Sequence, residues 1–193
     1  MAFNINDIKS QLALGGARPT LFQVTITNPV NNVADLKVPF LVRATTLPAS
    51  DLGTIQVPYF GRKYKIAGDR TFAPWQVTVM NDEDFSIRHA MEEWNYSINT
   101  YESNINVGGG GAPGTGAPLF YKSVAEVKQY SKTGQVIRVY RFNGIYPETI
   151  SSIDLDWNTN DTIEEFQVTF QYDSFEVVGG TTGTLTDGSI FVE

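Results

Sequence analysis

Asp154, Asp156, Asn158 and Glu165 stand at positions 1, 3, 5 and 12 of a twelve-residue loop, the spacing at which an EF-hand wraps calcium in oxygen ligands. Thr159 occupies the sharp bend that needs glycine, Asp161 falls where an apolar residue belongs, and the flanks alternate like strands. A strand ending in Leu155 and Trp157, a polar turn over 158–161 and a returning strand explain the same letters without a metal. Gly109, Gly111 and Gly114 spell a G-x-G-x-x-G phosphate cradle, but Pro113 and Pro118 interrupt the helix such a cradle must open, so the stretch reads as a loop. His89 could act as a general base, yet it has no cysteine and no G-x-S-x-G serine to activate, and a surface or half-buried packing role suits it better. The segment from Tyr59 to Arg70 gathers four bases, Arg62, Lys63, Lys65 and Arg70, with the aromatics Tyr59, Phe60 and Tyr64. In isolation that is a nucleic-acid patch. Gly61, Gly68, Asp69 and the preceding Pro58 make it instead a ribbon that leaves the core and must land on something.

These residues need elements to hold them. Phe22, Val24 and Ile26 alternate with polar residues, as do Leu36, Val38, Phe40 and Val42, then Trp75, Val77 and Val79, then Phe166, Val168, Phe170 and Tyr172. Period-two alternation is the mark of a half-buried strand, and segments 121–130 and 135–142 also look extended. One helix is well specified: Asn81 caps it, Asp82, Glu83 and Asp84 suit its positive end, and Ile87, Ala90, Met91 and Trp94 form its apolar stripe. A shorter amphipathic helix is predicted over 6–14, with Ile8 and Leu12 on one face. The organisation expected is an N-terminal arm over 1–16, a β-domain over 17–176 with a glycine-rich insertion at 103–118, and a tail over 177–193.

Composition bounds the chemistry. The 193 residues contain no cysteine and a single histidine, which removes disulfides, thiolate zinc sites and histidine metal clusters. No apolar run approaches the roughly 18 residues of a membrane span, and the start lacks the order of a signal peptide, so the expectation is a soluble protein made in a reducing cytoplasm. Net charge is −7, but the last base is Arg141. Residues 142–193 hold ten acids and no base. Such an asymmetry fits either a solubilising surface or a face that repels nucleic acid, because phosphate binding rests on Lys and Arg. With no cofactor motif, no metal cluster and no nucleophile, assembly is the use left for a chain of alternating strands. Unpaired strand edges close when each subunit's edge meets the next in a ring.

Arg18-Pro-Thr-Leu-Phe-Gln-Val24, Ala44-Thr-Thr-Leu-Pro48, the run from Gly61 to Glu83, Leu155-Asp-Trp-Asn158 and Glu165-Phe-Gln-Val-Thr-Phe170 together resemble the tail tube proteins of contractile-tailed bacteriophages. The resemblance spans about residues 17–173 in one order; the glycine-rich stretch and the long tail depart from it. It implies a mainly β fold, an antiparallel β-sandwich or half-barrel with one flanking α-helix, whose sheets join between subunits into a ring barrel. It implies no enzyme and no cofactor, but a structural virion protein, made in the host cytoplasm, whose six-membered rings stack into the inner tail tube. The implied partners are the chain itself, sheath, tape-measure, baseplate and tail terminator proteins, and DNA that passes without specific binding. On this reading Phe60, Arg62, Lys63, Lys65, Asp69 and Arg70 form an inter-subunit or inter-ring loop, and Asp154, Asp156, Asp161, Glu164 and Glu165 form an acidic lumen. A type VI secretion, pyocin-like or extracellular injection tube is the nearest alternative. A carbohydrate-binding sandwich is the next, and it would need Trp75, Trp94 and Trp157 exposed for stacking, whereas their place in apolar alternation or the helical stripe makes them core.

Overall fold

The computed structural model describes residues 5–12, 15–103, 118–181 and 183–185. The candidate cradle glycines 109, 111 and 114 and the chain from 186 onward therefore lie outside the described residues, as does most of the glycine-rich stretch. In chain order the elements are α1 (Ile5–Gln11), β1 (Phe22–Ile26), a 3₁₀ turn (Asn32–Ala34), α2 (Val38–Leu41), β2 (Val42–Thr45), β3 (Ser50–Tyr59) and β4 (Arg62–Phe72). Then follow β5 (Trp75–Met80), α3 (Ser86–Ile98), α4 (Pro118–Tyr121), β6 (Ser123–Tyr130), β7 (Val136–Ile150), β8 (Glu165–Gln171) and β9 (Ser174–Gly180).

Every strand pairing is antiparallel. β7 organises the fold: its first part lies between β6 and β9, and its last residues pair with β8, which leads on through β5 to β2. Gly144 marks the crossing from one set of partners to the other. Its φ of +70° is open mainly to glycine, and a Cβ there would run into the Asp173 carboxylate. The two halves, β1-β6-β7-β9 and β7-β8-β5-β2, face one another across an aromatic core. Trp75 stacks on Phe142 at 4.4 Å between ring centres, Tyr172 meets Phe142 edge-on at 5.0 Å, and Phe170 lies 5.4 Å from Trp75. The indole N–H of Trp75 donates to the Thr46 carbonyl at 3.0 Å, so the buried ring leaves no polar group unsatisfied.

α3 lays Ile87, Ala90, Met91 and Trp94 against this core, as their spacing predicts. Its start differs from expectation. Asn81 does not cap it; residues 81–85 form a turn, the helix begins at Ser86, and Phe85 precedes it with φ of +51°. Lys37 draws Asp82 and Asp84 into ion pairs, and Asp84 accepts the Ser86 N–H. Those acids thus serve a tertiary contact in place of the first helical turn. A second expectation is overturned over 36–42: Pro39, which cannot donate to a ladder, opens the single turn α2, and only 42–45 form a strand. β9 continues through the buried Val177 to Gly180, past the expected start of the tail.

Candidate functional site

Among the described residues β3 and β4 pair only with each other, as a ribbon separate from the seven-stranded sheet. Tyr59 faces Arg62 across the two-residue turn Phe60-Gly61, whose φ values of +40° and +80° are those of a tight primed hairpin turn. Near its base Gly53 faces the bulged pair Gly68-Asp69, where the strands come so close that a Cβ on Gly53 would sit 3.2 Å from the Asp69 carbonyl oxygen. A bulge adds twist, so the outer ribbon turns away from the line of its base. The base packs on the sandwich, where Phe72 lies 5.6 Å from both Tyr172 and Phe175.

The register sorts the ribbon into two faces. Ile55 opposes Ile66, Val57 opposes Tyr64 and Tyr59 opposes Arg62; the intervening pairs are Thr54–Ala67, Gln56–Lys65 and Pro58–Lys63. One face is thus mainly aliphatic and aromatic, with Arg62 at its outer end, and the other carries Thr54, Gln56, Lys63 and Lys65 beside Pro58 and Ala67. The apolar face is uncovered, with Ile55 55% and Tyr64 67% exposed. Of the six residues singled out in the ribbon, Phe60, Arg62, Lys63 and Lys65 cluster at its tip. Asp69 and Arg70 sit below, at the bulge, where Arg70 donates to Ser50 Oγ at 3.1 Å. The apolar face escaped the charge-based reading, although the alternation Ile55-Val57-Tyr59 and Tyr64-Ile66 around Phe60-Gly61 signals it.

The five candidate lumen carboxylates fall at the other end of the sheet. Residues 151–164 form a loop joining β7 to β8 beside Met80, whereas the ribbon joins β2 to β5 beside Trp75. The expected strand ending at Leu155 and Trp157 is absent: Asp156 instead accepts the backbone N–H of Asn158 at 2.9 Å, closing a local turn. Trp157 is 99% and Leu155 80% exposed, which corrects the expectation that Trp157 is core; Trp75 and Trp94 are buried. Glu164 accepts from Asn81 at 3.1 Å, and Glu165, the first residue of β8, pairs with Arg43. Asp154, Asp156 and Asp161 have no ion-pair partner among the described residues.

Two further surfaces bear on chemistry. The outward face of β5 and β8 carries Gln76, Thr78, Gln167, Thr169 and Gln171, with Gln167 donating to Gln76 at 3.1 Å, and is uncharged except for Glu165 at its Met80 end. On the opposite half Glu126 lies between Arg141, at 2.8 Å, and Lys128, at 3.3 Å. Burial pushes the Glu126 carboxyl up, but hydrogen bonds from the two bases outweigh it and hold the group below its usual range. His89 sits on α3 facing solvent, 3.3 Å from Glu93. Among the described residues no three His, Asp or Glu side chains come together as a metal site.

A family model described as phage tail tube protein matches residues 17–178. The chain is 36% identical to tail tube protein gp19 of Enterobacteria phage T4 over 161 residues, 83% of this chain and 91% of that one. Its fold is similar to a chain in the cryo-EM structure of the anti-feeding prophage cap, with TM-score 0.59, 16% identity and coverage of 84% and 90%. It is also similar to a chain in the sheath-tube complex of an extracellular contractile injection system, with TM-score 0.54, 13% identity and coverage of 91% and 98%. Matched across nearly all of its β-domain, the chain belongs to the phage tail tube protein family, structural components of the virion.

Proposed function

We propose that this protein polymerises into stacked rings forming the inner tube of a contractile phage tail, a passive conduit for DNA that performs no catalysis. The observation that carries the proposal is the ribbon: a hairpin of two long strands with an uncovered apolar face and a basic tip is a liability in a solitary molecule, and a contact in an assembly. Identical head-to-tail contacts close into a ring when the rotation is a whole fraction of a turn. Among the described residues β2 ends its sheet with one edge unpaired, which an adjacent subunit can continue. Phe60, Arg62, Lys63, Lys65, Asp69 and Arg70 act in the contacts between subunits and rings, and sheath, tape-measure, baseplate and terminator proteins bind surfaces of the finished tube.

DNA carries about one charge per 1.7 Å of duplex, so a bore lined with bases would hold it along the whole length. The uncharged face of Gln76, Thr78, Gln167 and Thr169 suits a bore wall, with Asp154, Asp156, Asp161, Glu164 and Glu165 excluding polyanions at one end of it. Negative-stain microscopy of concentrated protein, with and without a baseplate seed, tests the function. Rings or hollow rods about 100 Å wide are the expected result for six domains of this size; a protein that stays monomeric beside its seed refutes it. Reversal of Asp69 or Arg70 singly is expected to block polymerisation while the monomer stays folded. A portal and terminase gene nearby would separate a phage tail from an injection-system tube, which shares the fold.

A further inference from the structure

Trp157 is 99% exposed, Leu155 80% and Ile163 68%, all on the loop 151–164 that also carries Asp154, Asp156 and Asp161. Exposed large apolar residues among unpaired charges are costly to leave in water and typical of an interface centre with a polar rim. The ribbon tip is the complementary object, with Tyr59 and Phe60 in edge-on contact at 4.7 Å beside Arg62, Lys63 and Lys65. None of these three bases has an ion-pair partner among the described residues. The two features lie at opposite ends of one sheet. β2 hands the chain to the ribbon, and the ribbon returns it to β5, at the Trp75 end. β8 emerges from the loop at the Met80 end. One subunit cannot bring the ends together across that sheet; copies stacked along the strand direction in the same orientation would present one to the other.

We propose that the loop 151–164 is the socket for the ribbon tip of a second copy of this chain in the adjoining ring. Leu155, Trp157 and Ile163 receive Tyr59 and Phe60, while Asp154, Asp156 and Asp161 pair with Arg62, Lys63 and Lys65. A guanidinium or ammonium over the open face of Trp157 adds a cation–π contact. The polarity of the stack follows, since a ribbon meeting a ribbon would set like charges together. This inference rests on the tube reading but goes beyond it by naming both halves of one contact; it moves Asp154, Asp156 and Asp161 to the ring junction and leaves Glu164 and Glu165 at the end of the bore wall.

The natural chain has no cysteine, so single cysteines report cleanly. Phe60→Cys and Trp157→Cys proteins, mixed, assembled on wild-type seeds and oxidised, should give a disulfide-linked dimer in the pelleted tubes and none in the unassembled fraction. Asp154→Lys with Asp156→Lys should leave a folded monomer that no longer elongates tubes. Adding Arg62→Glu and Lys63→Glu in the same chain should restore elongation. Tubes that form without the cross-link, or a double lysine variant that elongates like wild type, overturn the socket while leaving the tube reading intact. Wild-type protein that never elongates a seed overturns both.

Discussion

Ile55 and Ile66 face one another on the apolar side of the ribbon, 55% and 45% exposed, outside the buried core. Replacing both by threonine keeps a β-branched pair with strong strand preference, so the hairpin itself should persist. Complete burial of an isoleucine side chain is worth about 1.5–3 kcal/mol. Covering the exposed half of each recovers about 1 kcal/mol, so the double variant should lose about 2 kcal/mol per subunit added. At about 1.4 kcal/mol per tenfold, that is roughly a 30-fold rise in the concentration needed for seeded growth. Sedimentation of tubes over a dilution series with fixed seed reads this value directly, and thermal unfolding of the monomer provides the control. If the threshold moves less than about threefold while the monomer melts as wild type, the apolar face is not covered in the assembly, and reasoning from its alternation fails.

The core makes sharper demands on the monomer. Phe142→Ala removes the ring stacked on Trp75 and should cost about 3–5 kcal/mol, a fall of about 10 °C in Tm by calorimetry at this chain length. Gly144→Ala forces a side chain into a left-handed backbone and against Asp173, and should cost at least about 1–2 kcal/mol in urea titration. The Asp84 carboxyl is held at about 2, from an ordinary 3.8, by hydrogen bonds from Lys37 and then Ser86. Its contribution is therefore complete above the ordinary carboxylate value and is lost as pH falls through about 2. Lys37→Met should raise the Asp84 midpoint as followed by NMR; an unmoved midpoint would assign the effect to Ser86 alone. Lysines at Gln76 and Gln167, on the proposed bore wall, should slow DNA release in a way that added salt relieves.

Strands whose side chains alternate against the core were legible because the alternation is enforced by burial: Val24, Trp75, Val77, Val168 and Phe170 all sit where period two puts them. The same alternation misled over 36–42, where Pro39 starts a helical turn and Leu36 and Phe40 point outward, 82% and 78% exposed. It misled again at Leu155 and Trp157, because an apolar residue shaped for another molecule has the same letter as one shaped for its own core. The start of α3 was misplaced because Lys37, far away in the chain, claims the acids that local capping would use. Composition picked out the ribbon by its bases, but the two faces appear only once register pairs Ile55 with Ile66. Which end of the sheet bears each charge was likewise invisible in one dimension, since it depends on how β2, β5 and β8 lie side by side.

β7 belongs to both layers of the sandwich, fifteen residues of continuous backbone with β6 and β9 along one stretch and β8 along the next. A thrust delivered to one layer therefore reaches the other through covalent bonds as well as through side-chain contact. Sliding the layers apart would require breaking ladder hydrogen bonds on both sides of Gly144 at once. The wall of a tube built from such units resists shear through its thickness, whichever surface the force is applied to.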